Sequence, residues 1–138
     1  MLEMSSQKIV KVGIIGGGLM GRELLALVGR WDALIDHPVR PILTAIADVS
    51  DSVRTFFTKA GVAESYSDYR DLLASSNVDV VYIAVPHNLH EEIYLATINS
   101  GKDFLGEKPF GIDLAAAEKI AAALSGKSNF VRVSSELP

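Results

Sequence analysis

The stretch Lys8–Arg22, KIVKVGIIGGGLMGR, narrows the fold more than any other part of the chain, because it reads as a buried strand that runs into a glycine turn and opens a helix. Ile9, Val10, Val12, Ile14 and Ile15 form the near-continuous β-branched run expected of a strand covered on both faces. Gly16, Gly18 and Gly21 then supply the spacing G-x-G-x-x-G. The first glycine permits a tight turn that a Cβ would block, the second lets a pyrophosphate approach the backbone, and the third lets the new helix pack closely on the strand. The free N–H groups at the helix start, around Leu19 and Met20, would face the anion. Alone, the pattern describes any glycine turn before a helix. The strand before it and an apolar face at Met20, Leu24, Leu27 and Trp31 after it favour dinucleotide binding.

At 138 residues the chain is expected to be one domain, long enough for a hydrophobic core. A net charge of −4, with 13 basic residues scattered along the sequence, gives no electrostatic footprint for nucleic acid. The absence of cysteine excludes a thiol nucleophile, a disulfide framework and a thiolate metal site. The leader Met1–Gln7 is polar, and the apolar run behind it is too short for a signal peptide or a membrane span, so a cytoplasmic protein is expected.

The first helix should end near Gly29 or Arg30, and Pro38 and Pro41 argue against regular structure from Trp31 to Pro41. The second strand is read as Ile42–Ala47, ending at Asp48. A carboxylate at that strand tip can accept hydrogen bonds from both adenosine ribose hydroxyls and repels a 2′-phosphate. Asp48 lies 27 residues beyond Gly21, more than the usual figure of about 20, and the 31–41 insertion absorbs the excess. The alternative is that Asp48 only begins a turn or caps the next helix. With no Lys or Arg directly after it, NAD is favoured over NADP, and Arg54 is the residue that could reverse the choice.

A helix from about Asp51 to Ala60 should turn Val53 and Phe56 or Phe57 inward and stop at Gly61. Ser67 reads as the N-cap of a short helix through Tyr69, Leu72 and Leu73. Val78–Val85 reads as a central parallel strand closed by Pro86. The turn residues His87, Asn88 and His90 then sit at its carboxyl end, where open α/β sheets bind ligands. Asn88 with Glu91 is also a good capping pair for a helix from Leu89 to Ser100, with Leu89, Ile93 and Ala96 on one face and Gly101 at its end. Lys102–Leu105 reads as a short strand with Gly106, Glu107, Lys108 and Pro109 at its end. Asp113 should cap a helix with the apolar face Leu114, Ala117, Ala121 and Leu124, and Phe130–Val133 reads as a last strand. This alternation implies an α/β fold with a doubly wound parallel sheet, a Rossmann fold. His87 and His90 with Glu91 and Glu92 lack a fourth convergent ligand, so no metal is expected.

Three segments together, GIIGGGLMGR at Gly13–Arg22, VPHNLH at Val85–His90 and GEKPFGID at Gly106–Asp113, resemble the glucose-fructose oxidoreductase, inositol dehydrogenase and rhizopine-catabolism (Gfo/Idh/MocA) family. The resemblance covers nearly the whole chain but only the N-terminal half of such an enzyme, whose members continue into a second α/β domain. A domain cut from a longer two-domain protein is therefore expected, with a natural stand-alone module as the alternative. The resemblance implies that Lys108 is the active-site lysine beside the nicotinamide, that Glu107 approaches the nicotinamide ribose, and that Val85, Pro86, Asn88, His90 and Pro109 lie near the cofactor. Asp103 and Gly106 depart from the histidine and cysteine more usual around this strand, which questions local packing rather than chemistry. The implied activity is hydride transfer between nicotinamide and a secondary alcohol or ketone, of a sugar or polyol, with little turnover by this chain alone and with a homo-oligomer expected. A non-enzymatic NAD-binding regulatory module and a methyl transferase using S-adenosylmethionine are the rival readings.

Overall fold

The computed structural model describes residues 7–34 and 37–135. Most of the polar leader, two residues of the 31–41 insertion and the last three residues of the terminal SSELP lie outside them. The elements are β1 (Lys8–Ile15), α1 (Leu19–Gly29), a 3-10 turn (Trp31–Ala33), β2 (Val39–Ala47), α2 (Asp51–Lys59), β3 (Glu64–Tyr66) and α3 (Tyr69–Ala74). They continue with β4 (Val80–Ile83), a second 3-10 turn (His87–Leu89), α4 (His90–Ser100), β5 (Asp103–Glu107), α5 (Leu114–Ala123) and β6 (Val131–Ser134).

Six strands form one sheet in the order β3-β2-β1-β4-β5-β6, and every pairing is parallel. The chain starts in the middle, winds outward through β2 and β3, then returns to the other side of β1 for β4. The neighbours β1 and β4 therefore mark the place where the winding reverses, and a crevice opens there above the carboxyl ends.

Alternation along each central strand divides the core between two faces. Ile14, Ile46 and Tyr82 point to the side packed by Met20, Leu24, Leu25 and Val28 of α1 and by Phe57 of α2. Ile15, Ala45, Ala47, Val81 and Ile83 point to the side packed by Leu72 of α3, by Ile93, Tyr94 and Ile98 of α4, and by Ile120 of α5. This period of two, with apolar residues on both phases, is what a strand covered on both faces requires.

The structure corrects several boundaries. β2 begins at Val39 and runs through Pro41, because β3 pairs only with Ala45–Ala47 and the outer edge of β2 is open below them. A proline is tolerated on such an edge. The short strand β3 was not legible, having three residues and no apolar alternation. Asp68, not Ser67, caps α3, accepting the Arg70 N–H at 2.8 Å. The Asn88–Glu91 capping pair does not form, since the 3-10 turn carries Asn88 and leaves Leu89 at the start of α4 without a side-chain cap. On α1 the buried stripe passes through Leu25 and Val28 while Leu27 is exposed, on α2 Phe57 rather than Phe56 is buried, and on α5 Ala116 and Ile120 are buried while Leu114 is exposed. β5 extends to Glu107, so Gly106 and Glu107 belong to the strand itself.

Both departures from the family pattern have a packing reason. A Cβ on Gly106 would collide with the Tyr94 hydroxyl, and Asp103 accepts the Phe130 N–H at 2.7 Å, tying the approach to β6.

Candidate cofactor site

The glycine turn connects β1 to α1 directly. Gly16 has φ +93°, in the left-handed region, and its N–H donates to the Ala47 carbonyl at 2.9 Å. A Cβ there would overlap the Ala84 carbonyl, so both the turn and the approach of β4 need glycine. A Cβ on Gly21 would strike the Gly16 carbonyl, which shows how closely α1 lies on the turn. Gly18 differs: nothing lies within 4 Å of its Cβ position. It is the N-cap of α1 and has no side chain to take the first helical N–H groups, those at Leu19 and Met20 among them. An anion approaching over Gly18 therefore meets open space and oriented donors, so a pyrophosphate fits here.

Asp48 stands at the tip of β2. Its Oδ2 accepts the Gly17 N–H at 2.8 Å and its Oδ1 accepts the Ser50 N–H at 2.8 Å. The carboxylate thus braces the glycine turn and begins the turn into α2, whose cap is Ser50. Each oxygen keeps a lone pair that can accept a ribose hydroxyl. Arg54 does not enter the cleft; it donates to the Asp48 carbonyl at 2.6 Å and pairs with Asp51 at 3.1 Å.

Above the β1–β4 reversal lies a cleft of about 320 Å³. Of the residues named from the sequence, Gly16, Asp48, Val85 and Pro86 line it, while Gly18, Leu19, Met20, Gly21, His90, Glu107 and Pro109 lie outside it; Tyr69, Arg70 and Glu92, which spacing alone did not indicate, also line it. Glu92 Oε1 accepts from the Tyr69 hydroxyl at 2.6 Å and from Arg70 at 2.9 Å, joining α3 to α4 across the cleft mouth. Desolvation, followed by the hydrogen bond to Glu92, pushes the Tyr69 phenol up to about 12. No local motif joins Tyr69 and Arg70 to Glu92, 23 and 22 residues away.

The second half of the site follows β4 and β5. The pairing of Ile83 with Gly106 sets Glu107–Pro109 on the same carboxyl edge as Val85 and Pro86. The Tyr82 hydroxyl donates to the Glu107 carboxylate, and the Tyr94 hydroxyl donates to the Glu107 carbonyl. Burial raises both phenols above the ordinary tyrosine value, and the charge of Glu107 adds to it. His90, fully buried and stacked on Tyr94 at 5.0 Å, sets its ring nitrogens 2.6 Å from the Pro109 carbonyl and 3.1 Å from the Val85 carbonyl. A neutral ring donates to one of the two. The Lys108–Pro109 peptide is cis. Lys108 is exposed and makes no hydrogen bond or ion pair among the described residues, and Asn88 is likewise exposed. Neither lines the cleft. Among the described residues no cluster of three or more His, Asp or Glu side chains could hold a metal ion, and no helix is long and apolar enough to cross a membrane.

A doubly wound parallel sheet with a glycine turn at its reversal point defines a dinucleotide-binding domain. The model of the Gfo/Idh/MocA oxidoreductase family, described by its NAD-binding Rossmann fold, matches residues 10–135, and the chain belongs to that family. It is similar to an inositol 2-dehydrogenase/D-chiro-inositol 3-dehydrogenase of Lactiplantibacillus plantarum, 30% identical over 80% of this chain and 30% of that protein. It is also similar to a D-xylose 1-dehydrogenase (NADP(+)) of Hypocrea jecorina, 35% identical over 67% of this chain and 25% of that protein. A crystal structure of an NAD binding oxidoreductase from Klebsiella pneumoniae superposes with a TM-score of 0.83 at 31% identity, over 91% of this chain and 34% of that one. The chain thus spans about a third or less of the length of these proteins.

Proposed function

We propose that residues 1–138 form the dinucleotide-binding domain of an oxidoreductase that moves hydride between a nicotinamide cofactor and a secondary alcohol or ketone of a sugar or polyol. One observation carries this reading: the sheet brings an anion cradle at Gly18 and an exposed lysine, Lys108, to the same carboxyl edge. A bound nicotinamide cofactor supplies the hydride acceptor. In this reading Gly16, Gly18, Leu19, Met20 and Gly21 hold the pyrophosphate and Asp48 takes the ribose hydroxyls. Val85, Pro86, Asn88 and His90 shape the wall towards the nicotinamide, with Glu107 and Pro109 beside it. Lys108 orients the substrate hydroxyl and stabilises developing alkoxide charge.

NAD is the favoured cofactor, since the carboxylate of Asp48 disfavours a 2′-phosphate. Turnover also needs groups that hold a substrate carbon within roughly 3–3.5 Å of the cofactor, and these are assigned to a second domain of the kind that fills the remaining length of the relatives. Exposed apolar residues late in the chain, Ile112, Leu114 and Phe130, suit self-association, and a cytoplasmic setting is the default reading.

Titration calorimetry of the chain with NAD, NADP and S-adenosylmethionine tests the binding half. NAD should bind tightest, whereas binding of S-adenosylmethionine alone would overturn the reading. In a protein extended by the second domain, Lys108→Ala should abolish oxidation across a polyol panel while cofactor affinity is kept. No dehydrogenase activity in the extended protein would favour a regulatory module instead.

A further inference from the structure

The cleft has an unusual charge arrangement. Three carboxylates line it, those of Asp48, Asp68 and Glu92, and Arg70 is the only cation among the lining residues. Arg70 already has acidic partners. It donates to Glu92 at 2.9 Å and to both oxygens of Asp68 at 3.3 Å, and its guanidinium lies 4.5 Å from the centre of the Tyr69 ring. Tyr69 reinforces the arrangement by donating to the same Glu92 oxygen.

A guanidinium in a cleft is the side chain best suited to take a phosphate through two parallel hydrogen bonds. Here its donors face protein carboxylates. A 2′-phosphate entering the cleft would meet the Asp48 carboxylate, and to bind the one cation that lines it would have to compete with Glu92 and Asp68 for Arg70. A 2′-hydroxyl faces neither obstacle.

Resting on the dinucleotide reading above, we propose that Glu92 and Asp68 hold Arg70 as a masked 2′-phosphate ligand. The Asp68–Arg70–Glu92 group, and not Asp48 alone, then sets the cleft's preference for a cofactor without that phosphate. Arg54, the other candidate cation, does not line the cleft and is bonded to the Asp48 carbonyl and to Asp51. The masking contacts are solvent-exposed, with side-chain exposures of 62% for Arg70 and 54% for Glu92, so removing the Glu92 charge loosens the guanidinium, leaving Asp68 as its one charged partner, without disturbing the core.

The test compares the affinities of NAD and NADP for the wild-type chain, for Glu92→Gln and for Glu92→Gln with Arg70→Ala, by calorimetry at one low salt concentration. Glutamine keeps an acceptor for Tyr69 and removes only the charge. The expected result is a gain of roughly three- to tenfold in NADP affinity for Glu92→Gln, with NAD affinity unchanged within about twofold, and loss of that gain when Arg70 is also removed. A gain that survives Arg70→Ala would show that charge removal alone is responsible and would overturn the inference. Wild-type binding of NAD with no gain in the variant would overturn it while leaving the proposed function standing, and a wild-type chain that already prefers NADP would overturn it together with the choice of NAD. Binding of neither dinucleotide by the wild-type chain would overturn both.

Discussion

The two ends of the candidate site are built by opposite means. At the glycine turn the geometry comes from what is missing: Gly16 and Gly21 let three backbone segments meet, and Gly18 leaves a space. At the Glu107–Pro109 segment the geometry comes from what is added. Tyr82 and Tyr94 reach Glu107, and His90 reaches Pro109, all from other elements. The first end is rigid through local sterics and the second through remote hydrogen bonds. Substitutions should therefore fail differently at the two ends.

The largest effect is expected at Gly16. Alanine there must adopt a left-handed backbone and overlap the Ala84 carbonyl, which should cost about 3 kcal/mol or more in urea unfolding and abolish cofactor binding. Gly18→Ala sharpens the contrast within the same turn. Its stability should fall by only about 1 kcal/mol, the cost of alanine at an N-cap, while cofactor affinity falls at least tenfold, because the methyl group enters open ground. Retained affinity in that variant would break the reading of an anion cradle.

At the other end, Tyr94→Phe should cost about 1–3 kcal/mol, since it leaves the Glu107 carbonyl without its partner beside a fully buried ring. The same tyrosines predict an alkaline limit. Tyr69, Tyr82 and Tyr94 have phenols raised above the ordinary value of about 10, so the unfolded chain ionises before the folded one. The stability they contribute is complete below pH of about 10 and is lost as pH rises, through about 12 for Tyr69. Unfolding curves between pH 8 and 11 should show the decline, and Tyr82→Phe should make it shallower. The smallest effect is expected at Lys108, where alanine should alter stability by less than about 0.5 kcal/mol because the exposed side chain makes no bond among the described residues. A large loss there would assign Lys108 a structural role.

The same contrast explains what could be read from the residues alone. The fold was legible because β1, β2 and β4 are apolar on both phases and because glycine identities are dictated by backbone geometry that leaves few substitutes. The position of Asp48 was legible for the same reason, as the tip of a recognisable strand. The helix faces were misjudged by one position on α1 and α5, where a rotation of 100° per residue makes adjacent apolar residues compete for the core. The braces on Glu107 and Pro109 were not legible, because they join residues 13 to 25 positions apart whose side chains meet only after α4 has packed. The Tyr69–Arg70–Glu92 bridge was missed likewise, since its α3 and α4 members are 22 and 23 residues apart.

The bond from Gly17 N–H to Asp48 carries a consequence for how such a domain can change its preferences. One side chain both fastens the turn and, in the proposed function, takes the ribose, so a mutation at position 48 is felt in two traits at once. A lineage moving towards a phosphorylated cofactor through Asp48 would first pass through variants with a loosened turn. Even asparagine keeps only one accepting oxygen, so it gives up the bond to either the Gly17 or the Ser50 N–H. Position 92 holds only solvent-exposed bonds between α3 and α4 and does not fasten the glycine turn, and that makes it the more accessible starting point for divergence.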